Sequence, residues 1–169
     1  MLNLQFERLV EFLRDKQEIL VLTHDNGDAD AFTSCMALSE FLNRSLKKRD
    51  VVAFSELSRP TKEFAEKFRE KFSNFELSYR DVKEINVESF DVILILDTND
   101  LSQVQLDSDV SLEKIHAPIV FIDHHYVEGG PEEEGIHVIR DDFASTAEVI
   151  HEMFKTLNFE PSDPAKYLL

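Results

Sequence analysis

The chain has 169 residues, of which 43% are hydrophobic, and this fits one globular domain large enough to enclose a sheet. Its 18 basic and 34 acidic side chains give a formal net charge of −16, which argues against a module that binds long nucleic acid through a broad basic face. No apolar run approaches the roughly 20 residues that span a bilayer, and the first residues lack the basic-then-apolar order of a signal peptide, so no membrane partner is expected.

Hydrophobic periodicity predicts alternating helices and strands. In chain order, we expect helices near residues 6–13, 31–49, 61–68 and 145–157, with Thr61 as one cap and Ser162 opening a last helix, and strands at 18–23, 51–54, 92–96 and 119–122. Residues 101–117 are expected to form a loop with a short helix, and residues 128–135 an exposed turn. The pattern predicts an α/β fold: a Rossmann-like three-layer domain, with a mostly parallel sheet of about five strands covered by helices on both faces.

Metal-binding residue types follow three of the predicted strands. The first strand leads into His24, Asp28 and Asp30, the strand at 92–96 into Asp97, and the strand at 119–122 into residues 123–125, which read Asp-His-His. Since ligands bind beyond the carboxyl ends of parallel strands, these side chains are expected to meet at one edge of the sheet.

Such a cluster of carboxylates would repel itself without cations, so divalent metal is the expected partner. Mixed carboxylate and imidazole ligands suit Mn²⁺, Fe²⁺, Co²⁺ or Zn²⁺ better than Ca²⁺, and the number of ligands fits two ions. Asp28, Asp30 and Asp97 carry three negative charges and two divalent ions carry four positive charges, which leaves a locally cationic pocket for a phosphate ester. Two neighbouring ions can activate a water molecule and stabilise both the attacking and the leaving oxygen.

Four segments resemble the motifs of the DHH-family phosphoesterases. Residues 24–31 read HDNGDADA, with Ser34 beyond, and resemble the first motif, H-x-N-P-D-G-D-A-x-x-S. Residues 97–98 resemble the second motif, and residues 123–125 are the Asp-His-His that names the family. The sequence ASTAE at 144–148 is similar to a segment of the subgroup that hydrolyses small oligonucleotides and nucleoside bisphosphates. The resemblance covers about residues 18–168.

The resemblance implies a role for each matching residue. His24, Asp28 and Asp97 would bind one metal ion. Asp30, Asp97 and His124 would bind a second ion, with Asp97 as the bridging carboxylate. Mn²⁺ is the usual metal of the family, with Mg²⁺, Co²⁺ or Zn²⁺ as alternatives.

The resemblance also implies two residues that act beside the metals. His125 would contact the phosphate group, and the carboxylate of Asp123 would orient a histidine. The expected substrate is a small phosphorylated molecule such as a nucleotide or a short oligonucleotide.

The sequence departs from the family pattern in the first motif and at its end. Gly27 replaces the common Pro, and Ala29 replaces the common Gly, both in a turn. The family's fourth acidic motif and its C-terminal domain with a glycine-rich substrate loop are absent from residues 1–169, which are expected to form the metal-binding N-terminal domain. The chain is interpreted as a fragment of a longer protein, with a natural single-domain relative as the alternative. A non-catalytic module that binds metal or nucleotide is the alternative function.

Two other classes of metal site fit the sequence poorly. The aspartate motif of haloacid-dehalogenase phosphatases needs Thr or Val where Phe32 stands, and an EF-hand register leaves its Gly and Glu positions unfilled. A homodimer is compatible with the sequence but nothing in it specifies one. The single cysteine, Cys35, cannot form an internal disulfide, so a reducing, cytoplasmic setting is expected.

Overall fold

The computed structural model describes residues 2–106, 115–126 and 136–169. Within these ranges the chain alternates between strands and helices. The α-helices are α1 (Leu2–Phe12), α2 (Ala29–Arg44), α3 (Arg59–Lys71), α4 (Thr146–Thr156) and α5 (Asp163–Leu168). The strands are β1 (Glu18–Thr23), β2 (Arg49–Phe54), β3 (Arg80–Asp81), β4 (Val92–Leu96), β5 (Ile119–Asp123) and β6 (Val138–Ile139), and short 3₁₀ helices lie at Val82–Glu84, Val87–Ser89 and Leu101–Gln103.

The strands form one parallel sheet in the order β3-β2-β1-β4-β5-β6. The chain builds outward from β1 to β3 and then returns to build β4, β5 and β6 on the other side. The strand order therefore reverses between β1 and β4, where Thr23 is paired with Leu96 at the carboxyl ends of the two strands. A reversal of this kind opens the crevice in which doubly wound sheets bind ligands.

Each face of the sheet has its own hydrophobic core. Alternate strand residues such as Val21 and Leu94 belong to the larger cluster, which also contains buried residues of all five α-helices. Their neighbours Leu20 and Ile93 point to the opposite face and pack with the 3₁₀ helices and with Val104. The central strand β4 is buried along its whole length, as expected for a parallel strand covered on both sides.

Side-chain caps define where the α-helices begin. Ser145 and Ser162 accept hydrogen bonds from backbone N–H groups in the first turns of α4 and α5, in agreement with the sequence. The expected cap at Thr61 is wrong, because Ser58 caps α3 and accepts the backbone N–H of Thr61. Pro60 lies in the first turn of α3, where a missing N–H costs nothing, so the helix begins earlier than its apolar face indicates.

The fold predicted from the sequence is confirmed, with six strands in place of about five. The two strands beyond the expected set, β3 and β6, are only two residues long and carry no periodic pattern. The exposed turn expected at 128–135 and residues 107–114 of the expected loop lie outside the described residues. In the described ranges, no helix combines the length and the apolar character needed to cross a membrane.

Candidate metal centre

His24 directly follows β1 and turns its ring toward β4. Its Nδ1 lies 2.8 Å from the backbone oxygen of Asp25, and because a carbonyl can only accept, Nδ1 carries the proton. Nε2 lies 3.5 Å from Oδ2 of Asp97, which follows β4. The hydroxyl of Thr23 donates to the backbone oxygen of Leu96 at 2.7 Å and holds the two strand ends together. A histidine fixed through Nδ1 presents Nε2 as a metal ligand.

Asp28 joins this group from the start of α2. Its Oδ1 accepts the backbone N–H of Ala31 at 3.0 Å and so caps the helix. Ligand atoms of His24, Asp28 and Asp97 all lie within 4.8 Å of one another. Asp28 is exposed, and its carboxylate therefore retains oxygen lone pairs that a cation at the crevice can use.

Asp97 is the centre of the cluster. Its side chain is only 3% exposed, its Oδ2 lies 3.5 Å from Nε2 of His24, and its Oδ1 lies 3.6 Å from Nε2 of His124. The residue has φ of 61°, in the left-handed region that Asp and Asn tolerate better than most residues. This turn directs the carboxylate into the crevice at the carboxyl ends of β1 and β4 at a small conformational cost.

Asp30 contacts the opposite side of the cluster. Its Oδ2 lies 3.7 Å from Nε2 of His124. Both of its oxygens also accept backbone N–H groups from the start of α4, Oδ2 from Thr146 and Oδ1 from Ala147, each at 2.8 Å. The positive end of the α4 dipole therefore faces this carboxylate and favours its charged form.

Asp123 is fully buried at the end of β5 and organises the histidines that follow it. Its Oδ1 accepts the backbone N–H of His124 and lies 2.8 Å from Nδ1 of His125. Its Oδ2 accepts a hydrogen bond of 2.6 Å from the side-chain amide of Asn99. The ring of His125 is 57% exposed.

The charges of the cluster shift the titration of its members. The carboxylate of Asp97 raises the pKa of His24 to about 9 against the opposing effect of burial. Burial, followed by the charge of Asp97, raises the pKa of Asp30. Burial alone would raise the pKa of Asp97 too, but its interactions with His24 and Thr146 lower it. Protonated His24 thus carries a positive charge that offsets the negative charges of the neighbouring carboxylates.

The arrangement fits divalent metal on geometric grounds. The three Nε2-to-carboxylate distances of 3.5, 3.6 and 3.7 Å are longer than good hydrogen bonds. Two ligands that each lie ~2.1 Å from one ion are separated by roughly 3–3.5 Å, so only small movements would place these atoms around cations. The sets that could hold an ion are His24 with Asp28 and Asp97, and Asp97 with His124 and His125.

All seven residues singled out in the sequence lie at this edge of the sheet. The second set differs from the expected one, since it contains His125, whereas Asp30 reaches the site through its contact with His124. The sequence analysis did not identify two residues that donate hydrogen bonds to the site. Thr146 donates its hydroxyl to Asp97, and Asn99 donates to Asp123. Thr146 lies within residues 144–148, whose similarity to a family segment could have identified it. No feature of the sequence identifies Asn99.

Other polar residues near the site have structural roles. The side chain of Asp142 accepts two hydrogen bonds from Arg140, at 2.9 and 2.6 Å, which fixes the segment before α4. Cys35 is fully buried in the core, and burial raises the pKa of its thiol.

The fold and the site define a parallel α/β domain with a carboxylate–imidazole cluster at its topological switch point. The sequence model of the DHH family N-terminal domain matches residues 18–168. The chain therefore belongs to the DHH family.

Two relatives show how far the similarity extends. An uncharacterized protein of Methanocaldococcus jannaschii is 31% identical over 153 residues, which are 90% of this chain and 43% of that protein. The crystal structure of an exopolyphosphatase-related protein from Bacteroides fragilis superposes with a TM-score of 0.63 at 20% identity and covers 92% of this chain and 44% of the other. At that identity the match concerns the fold alone. The chain spans less than half the length of either relative.

Proposed function

We propose that this domain holds two divalent metal ions, Mn²⁺ in the first place, and hydrolyses a phosphoester bond of a nucleotide or short oligonucleotide. Membership of the DHH family supports a phosphoesterase. The name of the structural relative, an exopolyphosphatase-related protein, agrees with a phosphohydrolase. The chain contributes the metal-binding half of the site under this proposal.

The observation that carries the proposal is the position of Asp97 between two histidines. One carboxylate oxygen faces His24 and the other faces His124, at 3.5 and 3.6 Å. A buried carboxylate that gives one oxygen to each of two imidazoles has the geometry of a ligand shared by two ions. A single structural ion would not require ligands on both sides of Asp97.

Each residue has a distinct task in this proposal. His24 and Asp28 would hold one ion, Asp30 and His124 the other, and Asp97 would be shared. The bound ions would supply Lewis acidity to the phosphate oxygens. His125, fixed by Asp123, would contact a phosphate oxygen or donate a proton to the leaving group. The crevice becomes cationic only when it is loaded, which lets a protein of net charge −16 accept an anionic substrate.

The test is a calorimetric titration with Mn²⁺ at neutral pH of the wild type and of three variants. We expect two sites in the wild type. His24→Ala and His124→Ala should each weaken one site, whereas Asp97→Asn should weaken both. Asn is chosen because it tolerates the left-handed backbone of residue 97, which Ala does not. Loss of one site only in Asp97→Asn would refute the shared ligand.

A matched control separates ligation from general electrostatics. Asp141 is exposed ahead of α4 and lies outside both described sets of residues that could hold an ion, so Asp141→Asn removes one negative charge without removing a ligand. Its Mn²⁺ affinity should stay within about twofold of the wild type. Hydrolysis of a chromogenic phosphodiester that requires Mn²⁺ and stops with chelator would then support the enzyme, and metal binding without turnover on any phosphoester would support the non-catalytic alternative.

A further inference from the structure

The side chain of Asn99 links two of the segments that build the metal centre. Asn99 lies two residues after Asp97, beyond the end of β4, and it reaches the residues that end and follow β5. Its Nδ2 donates to Oδ2 of Asp123 at 2.6 Å and lies 3.4 Å from the backbone oxygen of His125. Because an amide nitrogen carries two hydrogens, one side chain can serve both acceptors, with Asp123 as the closer one.

The carboxylate of Asp123 is held by donors on both of its oxygens. Oδ1 accepts the backbone N–H of His124 and faces Nδ1 of His125, each at 2.8 Å. In the described ranges, Asn99 is the one residue that donates to Oδ2. Asp123 is fully buried, so its Oδ2 depends on a protein donor. Without Asn99, the carboxylate would keep donors on one oxygen only and could turn about its Cβ–Cγ bond.

The exposed ring of His125 takes its orientation from this carboxylate. The ring is 57% exposed, and its centroid lies 4.2 Å from that of the His124 ring, with 43° between their planes. A side chain that exposed changes rotamer readily unless a specific contact holds it. The hydrogen bond between its Nδ1 and Oδ1 of Asp123 is such a contact. Asn99 therefore acts on His125 through Asp123.

The neutral amide at position 99 suits this task better than a charged group would. A carboxylate there would face the carboxylate of Asp123 at close range and repel it. An ammonium or guanidinium group would neutralise Asp123 and add a fixed positive charge two residues from Asp97, where cations are expected to bind. The amide supplies a donor without changing the charge of the cluster. Asp123 thus keeps its negative charge for the Nδ1–H of His125.

We propose that Asn99 is a positioning residue of the phosphoester reaction, which locks the carboxylate of Asp123 and thereby holds the ring of His125 toward the substrate phosphate. The inference rests on the proposed function, in which His125 contacts a phosphate oxygen or donates a proton to the leaving group. It separates two tasks within one turn. Asp97 binds the metal ions, and Asn99 aligns the histidine, so loss of the Asn99 amide should reduce turnover without loss of metal.

The first experiment measures the His125 ring without metal or substrate. Three-bond ¹⁵N–¹³Cγ and ¹³C′–¹³Cγ couplings report the χ1 rotamer of this side chain by NMR. We expect one dominant rotamer in the wild type, rotamer averaging in Asn99→Ala, and the wild-type couplings in Asn74→Ala. Asn74 is exposed and lies past the end of α3, so this control removes an amide outside the site. Unchanged couplings in Asn99→Ala would overturn the proposal.

The second experiment asks whether Asn99 acts through His125. With Mn²⁺ and a chromogenic phosphodiester, Asn99→Ala should lower kcat roughly 10- to 100-fold, because a small misplacement of a reacting group is that costly. KM and Mn²⁺ affinity should stay within about threefold of the wild type. In a His125→Ala background the same substitution should cost no further turnover. A further loss of about tenfold in that background would assign Asn99 a general structural role and overturn the proposal.

A second pair of variants covers a loss of folding in Asn99→Ala. Asn99→Asp sets two carboxylates face to face and should lose turnover at least as strongly. Asn99→Asp/Asp123→Asn exchanges the two groups, so the amide of residue 123 donates to the carboxylate of residue 99 and its Oδ1 still faces His125. This exchange should recover about tenfold of the turnover lost in Asn99→Asp. An exchange variant that folds and binds Mn²⁺ but recovers no turnover would overturn the role of this hydrogen bond.

The two experiments separate the two possible failures. If the wild type hydrolyses no phosphoester with Mn²⁺ although the couplings change in Asn99→Ala, the proposed function fails, and the role of Asn99 in the reaction fails with it. If the wild type is active and Asn99→Ala changes neither the couplings nor kcat, only the assignment of Asn99 fails.

Discussion

The hydroxyl of Thr146 donates a hydrogen bond of 2.9 Å to Oδ1 of Asp97, a residue 49 positions earlier in the chain. Thr146 is fully buried and Asp97 is 3% exposed, so water does not compete for this bond. The backbone N–H of Thr146 also donates to Asp30 at 2.8 Å. One residue at the start of α4 therefore orients two of the carboxylates assigned to the metal centre.

Removal of the Thr146 hydroxyl should disturb the metal centre more than it disturbs the fold. Thr146→Val keeps the shape and leaves a buried carboxylate oxygen short of one donor, which should lower the free energy of unfolding by about 1.5 kcal/mol. Misorientation of Asp97 should weaken Mn²⁺ binding roughly 10- to 100-fold, as for other partners of metal ligands. Calorimetry with Mn²⁺ and denaturant unfolding measure the two effects.

Thr146→Ser is the conservative control for that variant. It keeps the hydroxyl and loses one buried methyl group, which costs ~0.8 kcal/mol of stability. Its Mn²⁺ affinity should return to near the wild-type value. Equal loss of affinity in the Ser and Val variants would show that packing, and not the hydrogen bond, is what matters at this position.

We expect Asp30 to stabilise the start of α4 in addition to binding a metal ion. Each of its oxygens accepts one backbone N–H of the first turn of α4. Asp30→Asn keeps one acceptor and Asp30→Ala keeps none, so the Ala variant should be about 1 kcal/mol less stable than the Asn variant when no metal is present. Both variants remove the negative charge, and the comparison between them is therefore free of the repulsion with Asp97. Equal unfolding free energies would contradict the capping role.

His124 and His125 are adjacent but should differ in function. Both lie within 4.8 Å of Asp97, so geometry alone allows either to be a ligand. Nε2 of His124 faces two carboxylates, whereas Nδ1 of His125 is engaged by Asp123. We expect His125→Ala to retain Mn²⁺ affinity within about threefold and to lose roughly 10²- to 10³-fold in turnover, in the range for a general acid. A large loss of Mn²⁺ affinity in this variant would make His125 a ligand instead.

The sequence predicts the centre of this fold well because parallel strands buried on both faces are continuous apolar runs. Strands β1, β4 and β5 stand out for this reason, and the site residues follow directly at their carboxyl ends. The edge strands β3 and β6 do not stand out, since two residues are too few to show a period. They are held only by pairing with β2 and β5, which is information from the tertiary fold.

The residues that support the ligands could not be predicted from local pattern. Asn99 reaches Asp123 across 24 positions, and no property of an asparagine after a strand identifies that partner. The same holds for Thr146 and its bond to Asp97. The cap of α3 was missed for a different reason, because a helix begins where its cap lies, at Ser58, and not where its apolar face becomes visible. Ligand types and strand ends are local features, and hydrogen-bond partners are not.

Asp50 is a partly buried carboxyl group far from the metal centre. It lies near the start of β2, at the opposite end of the sheet from the site, and accepts a hydrogen bond from the side chain of Asn43. Burial raises its pKa from 3.8 to about 6, against the opposing hydrogen bonds from Ser39 and Asn43. The folded state therefore binds this proton more tightly than the unfolded state, so Asp50 supports the fold fully below pH 4 and loses that contribution as the pH rises to about 6.

Asp50→Asn should consequently be more stable than the wild type at pH 7, and the difference should shrink toward zero between pH 6 and pH 4. We expect about 1 kcal/mol at pH 7, less than the full shift implies, because the group is only partly shielded from solvent. Other carboxylates, such as Asp142 beside Arg140, have a lowered pKa and destabilise the fold as the pH falls, so only the difference between variant and wild type isolates Asp50. Glu66→Gln, an exposed position on α3, controls for the removal of one negative charge from a chain of net charge −16. A pH-dependent gain of equal size in Glu66→Gln would assign the effect to overall charge repulsion, and a gain confined to Asp50→Asn would assign it to burial of that single carboxylate.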